Sequence, residues 1–352
     1  MNKTIVTVTG IRPDFIRMSS IFKKLDANFN HILIHTGQHY DKLLSDVFFD
    51  ELEIRQPDYN LNIGKPGAEH FHQSADLSVK LIELIRKIGK VDCVLFLGDS
   101  NSVCVAPQLK KEGYTIAHVE AGMRSYDKRM LEEINRTVCD HCSDFLFVYH
   151  ANYVQKLYAE NITKNVYNVG NTIVEVLKEF KPHNEKTNKH IILDIHRPEN
   201  FLYKDRLFNI LQLANECGKR NNLTVKFLNF KRTLININKS KIDMTNFSNI
   251  QLVDLMPYKK FINEQYNAKF IISDSGTAQE EPALLNTPVI VPRDFTERPE
   301  SVDHGCSIMV NANVQIDYNL VENFINNFAP DTTWLGTGNT SNKIINILKK
   351  NI

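Results

Sequence analysis

The chain has 352 residues, enough for two domains at ~100–200 residues each, and is 42% hydrophobic and 24% charged, as soluble globular proteins are. Its 42 basic and 41 acidic residues leave a formal net charge of +1, which argues against a nucleic-acid binder held mainly by phosphate neutralisation and leaves room only for a local basic patch. No run approaches ~18 consecutive apolar residues, so no membrane-spanning helix is expected. Six scattered cysteines do not make a secreted disulfide framework, so a reducing, cytoplasmic setting fits. The N-terminal "MNKTIVTVTGIRPDF" lacks a long apolar region and a cleavage site, and reads as a first strand rather than a signal peptide.

"KTIVTVTG" is β-rich and ends in Gly10; "DFIRMSSIFKKLDA" then has apolar residues at helical spacing, and "HILIHTG" is a second strand. "LSVKLIELIRKIG" reads as a helix closing on Gly89, followed by the strands "DCVLFLGDS", "TIAHVEAG" and "DFLFVYH", the last two separated by the helical "EEINRTVCDHCS". The second half repeats the grammar with "HIILDIH", "TVKFLNF", "NIQLVDLM", "KFIISDSG" and "PVIVPR". Apolar runs without polar alternation suit parallel strands covered on both faces, and strand–helix alternation implies doubly wound sheets. The expected fold is α/β, with two Rossmann-like domains facing a central cleft. The charged "KEFKPHNEKTNKH" is the expected linker, giving a first domain over 1–178 and a second over 179–335.

Ligands of open α/β sheets bind beyond the carboxyl ends of the strands, so the residues after each apolar run carry the functional reading. Those exits hold Arg12 and Arg17, then Gln38, His39 and Asp41, then Asp99, then His118, Glu120 and Arg124. In the second half they hold His196, Arg197 and Glu199, then Asp274, Ser275, Glu280 and Glu281, then Arg293, Glu297 and Arg298. "SDSGTAQEE" reads as a strand, a small-residue turn and a helix start, an anion site suited to a diphosphate. Arg12 and Arg298 could neutralise that anion, and Glu281 could accept the hydroxyls of a ribose. The plainer alternative is that Ser275 only caps a helix.

Asp99, Glu120 and Glu132 could converge at one wall, where clustered carboxylates raise one another's pKa and can both remove and return a proton. The alternative for Glu132 and Glu133 is ordinary helix-start charge with Arg136 as an i,i+3 or i,i+4 partner. Cys139 and Cys142 have Cys-x-x-Cys spacing but no second pair, and read as structural. His150, His183 and His190 are expected to be solvated. No dinucleotide fingerprint, Walker sequence or nucleophile elbow is present.

With these motifs assembled, the chain resembles the non-hydrolysing UDP-N-acetylglucosamine 2-epimerase family. The matching stretches are "TGIRPDFIRMS", "HTGQHYD", "GDSNS", "HVEAGMRS", "EEINR", "VGNTIVE", "HRPEN", "DSGTAQEEP" and "TERPE", in the family's order. The resemblance implies a glycogen-phosphorylase-like (GT-B-like) two-domain fold, with a final helix over 336–352 crossing back to the first domain. It implies a homodimer with no partner beyond a second copy, no membrane or nucleic-acid role, and no metal or other cofactor. The implied reaction inverts C2 of a UDP-activated N-acetylated amino sugar: the C2 proton is removed, UDP leaves, and both return with the proton on the opposite face.

By the same resemblance Asp99, Glu120 and Glu132 match proton-transfer residues, and His196 a histidine near the diphosphate. Arg12, Arg17, Ser275, Gly276, Thr277, Glu281 and Arg298 match UDP and phosphate contacts, and Phe261 the apolar neighbour of uracil. Gln38, His39, Arg124, Asn171 and Arg197 are candidates for the sugar or a second site. The sequence departs from the family at Arg17, Leu131, Pro198 and Thr277. It also carries Asn229-Phe230 where a His-Pro pair is usual, which puts allosteric activation by substrate in doubt. "IRMSS" with "DSGT" looks more like a branch acting on UDP-linked 6-deoxy-L-hexosamines. The rival readings are a hydrolysing epimerase, a glycosyltransferase of the same fold, and a UDP-sugar-binding protein.

Overall fold

The computed structural model of the protein describes residues 3–38, 46–64, 69–182 and 184–352. His39, Asp41 and His183 lie outside the described residues. The chain divides into two compact units, Met1–Glu179 with Leu335–Ile352, and Phe180–Trp334.

The first unit is built on β1 (Thr4–Thr9), β2 (Asn30–His35), β3 (Tyr59–Asn60), β4 (Cys93–Leu97), β5 (Ile116–Val119), β6 (Phe145–Val148) and β7 (Val166–Asn168). They form one sheet in the order β3-β2-β1-β4-β5-β6-β7, and every pairing is parallel. β1, β4, β5 and β6 are buried at every position, because helices cover both faces and no strand residue has a solvent side to offer to a polar group. Val6, Val8, Val94 and Phe96 pack there against Leu77, Leu81 and Ile85 of the helix His70–Ile88. The last helix, Thr340–Asn351, buries Ile344, Ile345 and Leu348 within this unit and packs against the helix Arg12–Asn28. Its entry is fixed by Thr340 Oγ1, which donates to the carbonyls of Val169 and Asn171 at 3.2 and 3.3 Å.

The second unit repeats the plan with β8 (His190–Asp194), β9 (Thr224–Leu228), β10 (Ile250–Val253), β11 (Ala268–Ser273), β12 (Val289–Val291) and β13 (Ser307–Met309). The order is β10-β9-β8-β11-β12-β13, again all parallel. Ile191, Leu193, Phe227, Phe270 and Ile272 form its core with Leu207, Ile210 and Leu211 of the helix Lys204–Asn221.

All the strands expected from apolar runs are present. The three further ones, β3, β7 and β13, are two or three residues long, too short to stand out as an apolar run. Two departures concern histidines. His190 is buried beside Glu264 and Lys226, because β8 begins under the helix Tyr258–Asn267. His150 caps the helix Ala151–Ala159 through its ring, which accepts from the Asn152 N–H. Among the described residues no helix is long and apolar enough to cross a membrane.

In both sheets the order reverses beside the first strand of the unit, between β1 and β4 and between β8 and β11. The connections leaving neighbouring strands there run to opposite faces and open a crevice at the strand ends. The candidate residues sit at these two reversals.

Candidate active site

The first cluster occupies the exits of β1, β4 and β5. Asp99 follows β4 and Glu120 follows β5, and one guanidinium joins them: Arg136 Nη2 donates to Asp99 Oδ2 and, at 3.2 Å, to Glu120 Oε1. The other Glu120 oxygen lies 3.2 Å from Arg17 Nη1. Glu120, Arg17 and Arg136 are buried, whereas Asp99 keeps part of its side chain accessible. The cluster therefore alternates in sign, with Arg136 between Asp99 and Glu120 and Arg17 on the far side of Glu120.

Glu120 itself has φ +69°, the left-handed region, which a residue bearing a Cβ enters at a cost of about 1–2 kcal/mol. Its N–H and that of Ala121 both donate to the Phe147 carbonyl, at 3.1 and 3.2 Å. This pinched turn swings the carboxylate out of the strand direction and toward β4.

Glu132 opens the helix Leu131–Cys142 and is half-buried; Arg136 stands one turn later, on the same helix face. Glu133 has a different task. Its carboxylate accepts from the Ser125 and Tyr126 N–H groups at 2.9 and 3.0 Å, fixing the loop between β5 and this helix. Arg124 is buried and committed to Glu160 through Nε and Nη2, both at 2.8 Å, and to Asp140 at 2.7 Å. Asn171 is buried, its side-chain oxygen accepting from the Ile173 N–H at 3.0 Å.

Asp14, a residue the sequence reading passed over, is buried below this cluster. It accepts from the N–H groups of Gly10 and Ile11 at 2.8 and 3.1 Å and from Ser100 Oγ at 3.3 Å. Burial first, and the charge of Asp99 in addition, push its carboxyl up to about 7 against the pull of those hydrogen bonds. Arg12 is half-buried at the start of the same helix, beside Pro13. Gln38 approaches this turn closely: a Cβ on Gly10 would lie 2.0 Å from Ser102 Oγ and 3.0 Å from Gln38 Oε1.

The second cluster occupies the exits of β8, β11 and β12. The stretch after β11 is not the helix start that was expected. Thr277–Gln279 is a single 3-10 turn and Glu281–Leu284 a single α-helical turn. Pro282 cannot continue the first turn, since its ring meets the carbonyl four residues back, and left-handed Asn286 ends the second. A helix dipole thus contributes little here, and anion recognition falls to the turn backbone and to arginine.

Arg298 is buried against that turn, where a Cβ on Gly276 would lie 2.3 Å from its Nη1. Its Nε donates to Glu280 at 2.7 Å and its Nη1 to Glu297. Glu297 also accepts from Arg293 at 3.3 Å, and Arg293 pairs with Glu199 of "HRPEN" at 3.2 Å. The result is a ladder of alternating charge, Glu199–Arg293–Glu297–Arg298–Glu280, buried except at half-buried Glu199. Ser275 and Thr277 are half-buried at the turn, and the Ser275 N–H donates to Ser273 Oγ at 3.0 Å.

His196 follows β8. Its Nδ1 lies 2.8 Å from Asp194 and its ring 4.9 Å from that of Phe230. Burial lowers its pKa, but Asp194 and then Asp274 more than reverse this, so the ring holds its proton to higher pH than a free histidine. Asp274 also fixes the loop, accepting from the N–H groups of His196 and Arg197 at 3.0 and 3.1 Å and from Asn200 at 2.9 Å. Asp194, His196 and Asp274 offer ligand atoms within 4.8 Å of one another. The carboxylate oxygens of that set already accept from ring, hydroxyl, amide and backbone donors, an arrangement that aims the imidazole.

Glu281 is buried beneath the helix Tyr258–Asn267, accepting from Tyr258 Oη at 3.0 Å and Gln265 Nε2 at 3.2 Å. Phe261, on that helix, packs against the core cluster that includes Ile271 and Val289, as Phe230 and Met256 also do. An oriented carboxylate and an aromatic face on one helix surround suit a ribose and a base.

The profile of the UDP-N-acetylglucosamine 2-epimerase family matches residues 23–349. The chain belongs to this family. It is 36% identical over 364 residues to a UDP-N-acetylglucosamine 2-epimerase homolog of Methanococcus maripaludis, covering 98% of this chain and 99% of the relative. The UDP-GlcNAc 2-epimerase of Methanocaldococcus jannaschii, solved in complex with UDP-GlcNAc and UDP, shares its fold with a TM-score of 0.90 and 32% identity over 99% of each chain. A UDP-2,3-diacetamido-2,3-dideoxy-D-glucuronate 2-epimerase of Pseudomonas aeruginosa is 31% identical over 88% of each chain. The two α/β units are those of the GT-B-like fold of these enzymes, and membership places the chain among the isomerases.

Proposed function

We propose that this protein inverts C2 of a UDP-linked 2-acetamido-2-deoxyhexose without net hydrolysis. The observation that carries the proposal is the pair Asp99 and Glu120, at adjacent strand exits on one buried arginine, with Glu120 held in a strained backbone conformation. A carboxylate takes the C2 proton, the C1–O bond breaks with its electron pair going to the β-phosphate of UDP, and a 2-acetamidoglycal forms. UDP adds back to C1 while a second carboxylate of the set Asp99, Glu120 and Glu132 protonates the other face of C2. The second unit supplies the nucleotide contacts: Ser275, Gly276, Thr277 and Arg298 for the diphosphate with His196, and Glu281 and Phe261 for the nucleoside. Arg12, Arg17, Asn171 and Arg197 complete the polar set. UDP-GlcNAc is the first sugar to test, and a UDP-2-acetamido-2,6-dideoxy-L-hexose the second.

Proton NMR in D2O with each sugar nucleotide is the test. A new sugar nucleotide deuterated at C2 is the expected result. Free sugar accumulating with UDP would replace the proposal by a hydrolysing reaction, and UDP binding without exchange would end it.

We further propose that two copies associate through the first unit. Leu131, Ile134 and Val138 line one face of the helix Leu131–Cys142 and are 55, 55 and 38% exposed. Phe71 and Val79, 63 and 58% exposed, lie on the helix His70–Ile88. Both helices flank the turn Asn101–Val105, linked through Asn101 to Gln73 and Asn135. Pairing this face with its own copy would remove the apolar stripe from water. Ile134→Glu is expected to yield a monomer by light scattering at concentrations where the wild type is a dimer; an unchanged mass would reject this face.

A further inference from the structure

The three elements that carry Asp99, Glu120 and Glu132 meet at a single side chain that touches no solvent. His118 lies in β5, two residues before Glu120, and is 0% exposed. Its Nε2 is 2.7 Å from the carbonyl of Gly98, the peptide that leads into Asp99. Its Nδ1 is 2.7 Å from Asp140 Oδ1, two turns beyond Glu132 on the helix Leu131–Cys142. Asp140 Oδ2 in turn accepts from the Gly122 N–H at 3.0 Å and from Arg124 Nη1 at 2.7 Å, both on the loop that follows Glu120. Arg124 is held from its far side by Glu160.

Both ring nitrogens of His118 face acceptors, a carboxylate and a carbonyl. A neutral imidazole carries one N–H and one lone pair, so one of those contacts would set lone pair against lone pair. Only the imidazolium satisfies both. Burial opposes that charge, but the neighbouring Cys139 sulfur and the Asp140 carboxylate outweigh it, so the ring keeps its proton well above the ordinary histidine range.

A buried ion pair is a poor way to add stability, because apolar side chains of similar volume do as well or better. What this pair adds is direction. Each contact is a short hydrogen bond to a backbone or carboxylate group on an element that carries an acid–base residue. The Gly98 φ of +69° and the Glu120 φ of +69° leave both carboxylates on turns whose angle depends on these anchors.

Resting on the function proposed above, we infer that His118, as an imidazolium clamped by Asp140, is a positioning residue for proton transfer at C2. It sets the β4 exit, the β5 exit and the Glu132-bearing helix in one register, and touches no substrate itself. A displacement of about 1 Å between reacting groups costs on the order of 10²-fold in rate, so releasing one anchor is read in turnover. Nucleotide binding, which the second unit supplies, stays as it is.

The test uses His118→Gln, whose amide can still reach the Gly98 carbonyl, His118→Asn, whose amide can still reach Asp140, and Asp140→Asn. In each, kcat for epimerisation is expected to fall roughly 10- to 100-fold, with the KM for the UDP-sugar and the Kd for UDP unchanged within about twofold. Folded variants with wild-type kcat would overturn the inference, as would a parallel loss of UDP affinity, which marks general damage. Nitrogen-15 NMR of the wild-type ring keeps the inference testable where a variant fails to fold. Protons on both nitrogens at pH 8 are expected, and a single neutral tautomer overturns it. Wild-type protein that binds UDP but exchanges no C2 proton with any of the sugars would fail the functional proposal and this inference together, whereas active wild type with indifferent variants fails this inference alone.

Discussion

Glu120→Gln is expected to lower kcat for C2 epimerisation by ~10³-fold or more while UDP still binds with wild-type affinity. The amide is close to the same size, so the pinched turn at residue 120 survives. What disappears is the basic oxygen and the negative charge between Arg17 and Arg136, each 3.2 Å from one carboxylate oxygen. The amide N–H₂ can accept nothing from a guanidinium, so at least one of the two arginines loses its acceptor. Breaking a buried pair in this way costs on the order of 3–5 kcal/mol. Lower thermal stability is therefore expected alongside lower activity, and the two must be separated. Unchanged UDP binding does so, since most of the nucleotide contacts proposed above lie in the second unit. Glu120→Asp offers a second control: it keeps the charge but withdraws the carboxylate by one methylene, and about 10²-fold of rate should go with it. If Glu120→Gln keeps more than about a tenth of wild-type kcat, Glu120 transfers no proton.

The strands were legible in the sequence because a two-faced parallel strand is an apolar run, and the acidic residues stood out because they terminate such runs. Asp99 and Glu120 were found that way. Their counter-charges were not. Arg136 reads in sequence as a helix-surface partner of Glu132 or Glu133, since i,i+3 and i,i+4 neighbours are the only contacts spacing reveals. In the fold its side chain crosses to two strand exits instead, and Glu133 turns back to hold the Ser125–Tyr126 loop. The pairing of His118 with Asp140 was hidden for the same reason: they lie 22 residues apart, and only the packing of β5 against its following helix joins them. Asp14 stands in a first helical turn, where an acid is ordinary, and nothing local announces that it is 3% exposed and shared with Ser100. The stretch after β11 misled in the opposite sense. Small residues followed by two glutamates resemble a helix start, but Pro282 and Asn286 cut it into two single turns.

Arg298→Met is expected to weaken UDP binding ~10²-fold or more, with no comparable change in the first unit's carboxylate cluster. In the ladder of the second unit two guanidinium groups separate three carboxylates, half-buried Glu199 and buried Glu297 and Glu280. Removing Arg298 does more than delete the proposed phosphate donor. It leaves Glu280 and Glu297 facing each other beside the Ser275–Thr277 turn without their shared cation, so the approach of a diphosphate meets repulsion where it met attraction. Gly276 sharpens the effect, because its lack of a Cβ lets the guanidinium lie directly against the turn backbone that would bind the same anion. Arg298→Lys restores charge but not the planar fork that reaches Glu280 through Nε and Glu297 through Nη1, and an intermediate loss of ~10-fold is expected. Calorimetric titration with UDP at two salt concentrations measures both. Because Arg298 is buried, the loss should persist at high salt, unlike that of an exposed phosphate-steering charge. Unchanged UDP affinity in a folded Arg298→Met protein would remove the ladder from the nucleotide site and leave it a structural network.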